Sequence, residues 1–513
     1  MGPCLRCAVT TKRLLLVVAL SAVATYLLAI GGTFTGDDGH LIAGNALVHG
    51  WSGVWSAFGA PYWPPAFGGA LYRPLPVATY AADWMLSGGS APWFHAVNIL
   101  WHAGASVLVA VLAGEWVGKR EKGSGTRAAL VGGLVFAVHP VHVEAVANIV
   151  GRAELMAAVF TLLAVHAIVQ RGNLWLGLVA WICGLLSKEN AAVAPALILT
   201  AWWLGIGVRP PRRTMITAGG VWMVAALAYA GLREAVLGHY ASLWSPAPVF
   251  VGLSWLTVRL TAVAVILDVW RLLLFPLTLR VDYSPAERTA VASATDPRFL
   301  LGIGLAVVLG VLVKWMWKRG AKVEAYGLLW IGIAFLPVAN ILFPIGVLIA
   351  ERTLYLPSVG LALIAGALAA RVPPKLGYGL LTVVVLGAGA WRSVLRIPVW
   401  HDNITFAQSI VRDSPSSYVG QMAAAGVMLE RGRPTYALEA ARLATVDYPL
   451  DPRPYLIGAH AALKLRQFRT ADSLMALANQ HCRPCEGIYQ AQIADALQLG
   501  DSAAADSLRA HQP

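Results

Sequence analysis

The stretch LLLVVALSAVATYLLAIGG (14–32) contains no charged residue, and TFTGDDGH (33–40) follows it directly. A run of that length matches the ~20 apolar residues that carry a helix across a ~30 Å hydrocarbon core. Outward from it, similar blocks recur at 95–114, 128–147, 153–170, 174–187, 190–206, 214–231, 299–317, 325–345, 354–370 and 376–393. The stretch 251–276 is apolar too, but Arg259, Asp268 and Arg271 fall at helical intervals within it. That pattern suits an interfacial or re-entrant helix better than a lipid-facing span. The chain is 58% hydrophobic and 13% charged, whereas soluble domains are roughly half apolar and a quarter charged. The reading is an all-α polytopic membrane protein with about eleven spans. The opening MGPCLRCAVTTKR resembles a signal peptide. Its apolar run reaches Gly32 and further spans follow, so an uncleaved first helix is expected.

The net charge of +13 reports topology, because no basic face interleaved with aromatics points to nucleic acid. Arg6, Lys12 and Arg13 precede the first span, and Lys119, Arg120, Lys122 and Arg127 follow the second. Arg171, then Arg209, Arg212 and Arg213, then Lys314, Lys318, Arg319 and Lys322, and finally Arg371 and Lys375 fall on the same side if 251–276 does not cross. The positive-inside bias makes that side cytoplasmic. The loop 33–94, the segment 139–152, the SKEN turn (187–190), the loop 232–298, ERTLYLPS (351–358) and the C-terminus then face outward.

From about Trp400 a 34-residue period takes over. Leu429, Leu463 and Leu497 keep it, as do Gly432, Arg466 and Gly500, Ala437, Ala471 and Ala505, and the pair Tyr455 and Tyr489. That interval is the tetratricopeptide signature. The expected division is a membrane domain, 1–399, and an extracytoplasmic α-solenoid of about three repeats, 400–513. Such a solenoid either binds an extended peptide or partner protein, or serves as a dimerising or stabilising module. Of the five cysteines, Cys4 and Cys7 form one CxxC and Cys482 and Cys485 another. Neither has a second ligand pair at zinc spacing. The second is either a local disulfide or an incidental pair.

The chemically rich residues fall on the outer face. Asp37 and Asp38 can hold a proton or a divalent cation (Mg²⁺ or Mn²⁺), can supply a general base for a hydroxyl, or can simply cap a solvated turn. Arg73 lies in a loop rich in Trp and Tyr, which suits the headgroup layer or a sugar ring. His95, Asn98 and His102 share a helical face. His139, His142 and Glu144 offer metal-ligand chemistry, though Pro140 interrupts the spacing and a polar cavity lining fits better. Arg152 and Glu154 follow them. Lys188 and Glu189, and Glu351 and Arg352, suit either a phosphate headgroup or ion pairs between helices.

DD after the first span, YRPL (72–75), FHAVNILWH (94–102), FAVHPVHVEAVANIVGR (136–152), SKEN and PVANILFPIGVLIAERTLYLPSVG (337–360) together resemble the TMTC family. Those are transmembrane, tetratricopeptide-repeat O-mannosyltransferases of the GT-C class. The resemblance covers nearly all of the membrane portion in order, and the tail agrees in kind. It implies a GT-C-like helix bundle, a polyprenyl-phosphate-linked mannosyl donor and a protein Ser or Thr acceptor. It implies Asp37 or Asp38 as the base of an inverting transfer, and Arg73, Lys188 and Arg352 on the donor phosphate. His95, His102, His139, His142, Glu144, Arg152, Glu189, Glu351 and Tyr355 would line the site. This chain departs from animal members in its short repeat array, which puts the acceptor in doubt. Its Ala-, Gly- and Arg-rich composition reads as bacterial, making the outer face periplasmic; in a eukaryote it would be the endoplasmic reticulum lumen. A lipid or polysaccharide acceptor, or a non-catalytic scaffold, are the competing readings.

Overall fold

The computed structural model describes residues 5–67, 70–118, 124–238, 246–283, 285–372, 376–482 and 485–513; Cys4, Lys119, Arg120, Lys122 and Lys375 lie outside them. Among the described residues the chain is helical and has no strand. The membrane part opens with α1 (Leu5–Tyr26), continued by a 3₁₀ turn to Gly31. The first loop holds α2 (Ser52–Ser56) and α3 (Pro74–Ser87). The bundle continues with α4 (Ala91–Val117), α5 (Ser124–Val138), α6 (Val143–Ala147), α7 (Arg152–Val165), α8 (Leu174–Ser187), α9 (Ala194–Trp203) and α10 (Arg212–Leu237). Next come α11 (Trp255–Ala264), α12 (Ile266–Leu274), α13 (Pro297–Lys318), α14 (Lys322–Phe335), α15 (Ser358–Arg371) and α16 (Leu376–Arg396).

Among the described residues six helical stretches are long and apolar enough to cross a membrane, and α5 with the segment after Pro140 makes a seventh across a 48° bend. The remaining apolar helices are short. At 14 residues each, α8 and α15 reach only about 21 Å at 1.5 Å per residue. The expected helix 325–345 stops at Phe335, and 251–276 is two short helices instead of one. Each break has a local cause or a local use. Pro140 lacks an N–H and disfavours helix at the residue before it, and His139 is extended at φ −68°, ψ 125°. Lys188 is extended as well. Irregular backbone at membrane depth survives only where protein or a wet cavity covers it. These breaks carry the HPVH, SKEN and AERT motifs. Small residues let the helices close up: Gly327 of α14 faces Gly360 of α15, where a Cβ on either would strike the other's carbonyl oxygen.

The tail comprises α17 (Asn403–Asp413), α18 (Tyr418–Glu430), α19 (Pro434–Asp447), α20 (Pro452–Lys464), α21 (Phe468–His481), α22 (Glu486–Gln498) and α23 (Ser502–His511). First helices start at 418, 452 and 486, and second helices at 434, 468 and 502. The 34-residue spacing of the sequence is thus a spacing of helix pairs. Ala437, Ala471 and Ala505 are fully buried, and Gly432, Arg466 and Gly500 turn the chain at φ +66°, +57° and +70°. A side chain there costs ~1–2 kcal/mol. Arg466→Gly should therefore stabilise the tail by about 1 kcal/mol, read as a higher thermal midpoint; an unchanged midpoint would mean the turn carries no strain. Cys482 and Cys485 are joined as a disulfide between α21 and α22.

The tail is fastened to the membrane part. Arg396 pairs with Asp413 at 2.5 Å, and the Ser414 hydroxyl donates to the Asp282 carbonyl at 2.7 Å. Thr33 N–H donates to the His401 carbonyl at 2.7 Å, and α22 lies against residues 65–67 of the first loop.

Candidate active site

Two adjacent aspartates have opposite surroundings. Gly36 takes φ +58° and turns the chain so that Asp38 points inward and Asp37 outward. The Asp38 carboxylate accepts N–H bonds from Thr35 (3.1 Å) and Val150 (2.9 Å) and is wholly buried. Burial pushes its pKa up to about 7, against the pull of those backbone donors. Asp37 is exposed, and among the described residues its carboxylate has no hydrogen bond or ion pair. Gly36 gives its own N–H to Asn403 Oδ1 at 2.8 Å, and Phe406 packs on its Cα. The repeat tail therefore helps to hold this turn.

Arg73, Lys188 and Arg352 arrive from three separate breaks in the helical pattern. Arg73 pairs with Glu189 at 2.8 Å and sits over the Tyr62 ring at 5.1 Å. Lys188 pairs with Glu154, which also accepts from Asn190 at 3.1 Å. Arg352 pairs with Glu144 through its guanidinium and gives that carboxylate its backbone N–H at 2.8 Å. Burial lowers the Lys188 pKa, and the repulsion of Arg73 and Arg352 adds to the effect of burial. Glu144 holds Arg352 charged, with Asp37 among the groups that assist. Lys188 thus lies in the field of both arginines, and Arg352 lies in that of Asp37. Each cation is fixed by a carboxylate, so little reorganisation is needed when an anion arrives.

The histidines form a polar layer deeper in the bundle. His102 bonds Tyr355 Oη at 2.8 Å and the Ala137 carbonyl at 3.0 Å. His139 reaches the Leu273 carbonyl at 2.9 Å and accepts from Val141 N–H at 3.2 Å. His142 meets Ser358 Oγ at 2.7 Å, with the Phe136 and Tyr355 rings 4.5 and 4.6 Å away. His95 is buried against Gly32. Among the described residues no three His, Cys, Asp or Glu side chains converge as ligands would, and both Asp38 oxygens are already engaged. These residues do not build a cation site by themselves.

Arg152 and Glu351 have partners of their own. Arg152 is completely buried. It pairs with Asp83 and bonds Asn98 Oδ1 (2.9 Å), Thr79 Oγ1 (3.1 Å) and the Phe94 carbonyl (3.1 Å). Glu351 accepts from Arg280 N–H at 2.5 Å and Tyr283 at 3.1 Å, and burial pushes its pKa up to about 8. Two contributors escaped the sequence reading. Asp83 offered a signal, a lone charge inside an otherwise apolar helix. Asn403 offered none.

Over most of its length the chain is similar to curated relatives. The chain is 29% identical over 461 residues to human protein O-mannosyl-transferase TMTC4, covering 78% of this chain and 62% of that protein. It is 29% identical over 369 residues to the *Caenorhabditis elegans* protein O-mannosyl-transferase F38B6.6, covering 69% and 50% respectively. With human protein O-mannosyl-transferase TMTC1 the identity is 27% over 485 residues, covering 82% and 53%. The chain thus spans less than two thirds of the length of these relatives. No family model matches it, and no solved structure does. Over most of its own length, the chain is similar to proteins named as TMTC-family protein O-mannosyl-transferases.

Proposed function

We propose that this chain is a membrane glycosyltransferase that moves mannose from a polyprenyl-phosphate donor to Ser or Thr hydroxyls of proteins on the extracytoplasmic face. The observation that carries this is a free, exposed carboxylate, Asp37, in the field of Arg352, one of three cations already paired with carboxylates, of which Lys188 is buried and Arg73 and Arg352 are half-buried. Asp37 takes the proton of the acceptor hydroxyl, and the acceptor oxygen forms a bond to the anomeric carbon. The bond from that carbon to the phosphate oxygen breaks, and the polyprenyl phosphate leaves with the electron pair. Arg73, Lys188 and Arg352 meet the charge that develops on it. Attack opposite the leaving group inverts the anomeric centre. Asp38 sets the turn as a positioning residue. The tail is a tetratricopeptide module that presents the acceptor, and the membrane is the bacterial cell membrane with the site on its periplasmic side. The names of the relatives support mannose and protein as donor sugar and acceptor class.

The test is transfer from labelled polyprenyl-phosphate mannose in membranes from expressing cells. Label in protein is the expected result. Label only in lipid or polysaccharide would move the acceptor, and no transfer from any lipid-linked sugar, with insertion intact, would leave a scaffold.

A further inference from the structure

The outer end of α10 carries groups that the transfer scheme leaves unused. This helix stands at the rim of the bundle with its apolar side chains open. It is attached by Trp222 stacked on Trp181 (centroids 4.5 Å, planes 12° apart) and by Tyr229 beside Tyr72 at 6.3 Å. The Tyr229 hydroxyl is buried and has no hydrogen-bond partner, and Glu189 Oε1 is in the same state. The other oxygen of Glu189 holds Arg73. Arg233 follows Tyr229 by four residues, on the same helical face. It is partly buried and has no carboxylate at ion-pair distance among the described residues.

Buried polar groups are normally satisfied, and each exception calls for an explanation. Here a hydroxyl donor, a carboxylate acceptor and an unpaired cation gather beside Arg73. Phosphate takes up a cation and a hydroxyl donor; a sugar hydroxyl takes up a carboxylate oxygen. We propose that Arg233, with Tyr229 Oη and Glu189 Oε1, forms the donor's entry subsite. In it Arg233 and Tyr229 grip the phosphate, Glu189 grips a sugar hydroxyl, and the prenyl chain stays in lipid alongside α10. The inference rests on the glycosyl-transfer reading and adds to it a place of entry and a fourth cation. Unlike Arg73, Lys188 and Arg352, Arg233 has no carboxylate partner among the described residues. It grips the lipid before chemistry and contributes to binding more than to the step itself.

The test uses the full chain in detergent micelles with farnesyl phosphate as probe, binding being read by native mass spectrometry. Arg233→Glu should weaken binding about tenfold or more, as expected for loss of a charge-assisted hydrogen bond, and Tyr229→Phe should weaken it less. Arg209→Glu, at the other end of the same segment, should bind like the parent. In the transfer assay Arg233→Gln should raise the donor KM with kcat nearly unchanged, and Arg233→Lys should restore most of the loss. Parent-like binding by both Arg233→Glu and Arg233→Gln, in a protein that still transfers sugar, would overturn the subsite and leave the function standing. A parent protein that neither binds farnesyl phosphate nor transfers sugar would overturn both.

Discussion

Asp37→Asn should lower sugar transfer by about 10²–10⁴-fold, the contribution of a placed general base, while the protein stays folded. The side chain is exposed and has no protein partner among the described residues, so an amide in its place disturbs no contact. It removes only the group proposed to take the acceptor's proton. Asp38→Asn should behave differently. One of its two backbone donors, Thr35 or Val150, would then face an amide N–H₂, leaving a buried donor unpaired at a cost of ~1–3 kcal/mol. Its signature is a lower thermal midpoint together with reduced transfer. An acid with a pKa near 7 also suits a base in principle, which is why both variants are needed. Full activity in Asp37→Asn, with activity lost and stability kept in Asp38→Asn, would transfer the role to Asp38.

The second large effect is on stability. Arg152→Met should cost ~3–5 kcal/mol, because it strands a buried carboxylate, Asp83. Among the described residues, Asp83's carboxylate would keep only the Trp93 indole N–H at 3.0 Å. Pairing the change with Asp83→Leu should recover much of that, since removing both charges also removes their desolvation. Recovery stays incomplete because Arg152 also ties Asn98, Thr79 and the Phe94 carbonyl. Thermal unfolding of the two variants in detergent measures the difference. If Arg152→Met melted like the parent but transferred no sugar, Arg152 would act on the substrate instead of holding the first loop to α4 and α7.

What the sequence made legible follows from what each signal measures. The apolar runs beneath α1, α4, α10 and α13 are long and uninterrupted, so hydropathy finds them. It missed the end of α14 because PVANILFPIG (337–346) is as apolar as a helix. Only Pro337 and Pro344 hint that the chain unwinds there. The tail's period was legible because closely packed positions demand alanine and left-handed turns favour glycine, as Ala437 and Gly432 show. Cations beside a membrane are costly enough to stand out, which is what draws attention to Arg73, Lys188 and Arg352 in the sequence. The carboxylate partners were harder: Asp83 meets Arg152 across 69 residues, and no local pattern records that. Nor does the sequence separate Asp37 from Asp38, because the difference lies in which of two neighbours turns under Thr35.

The bond from Gly36 to Asn403 has a consequence for the newly made chain. Its partners are 367 residues apart, so at ~5–20 residues per second the second arrives roughly 20–70 s after the first. Throughout that interval the acid is present but the residue that fastens its turn is not yet made. Non-local contacts of this kind form late in folding. Under the proposed function, a nascent or truncated chain lacking residues past 399 would keep Asp37, Arg73, Lys188 and Arg352 yet transfer little sugar, which would make activity a sign that synthesis has reached the tail.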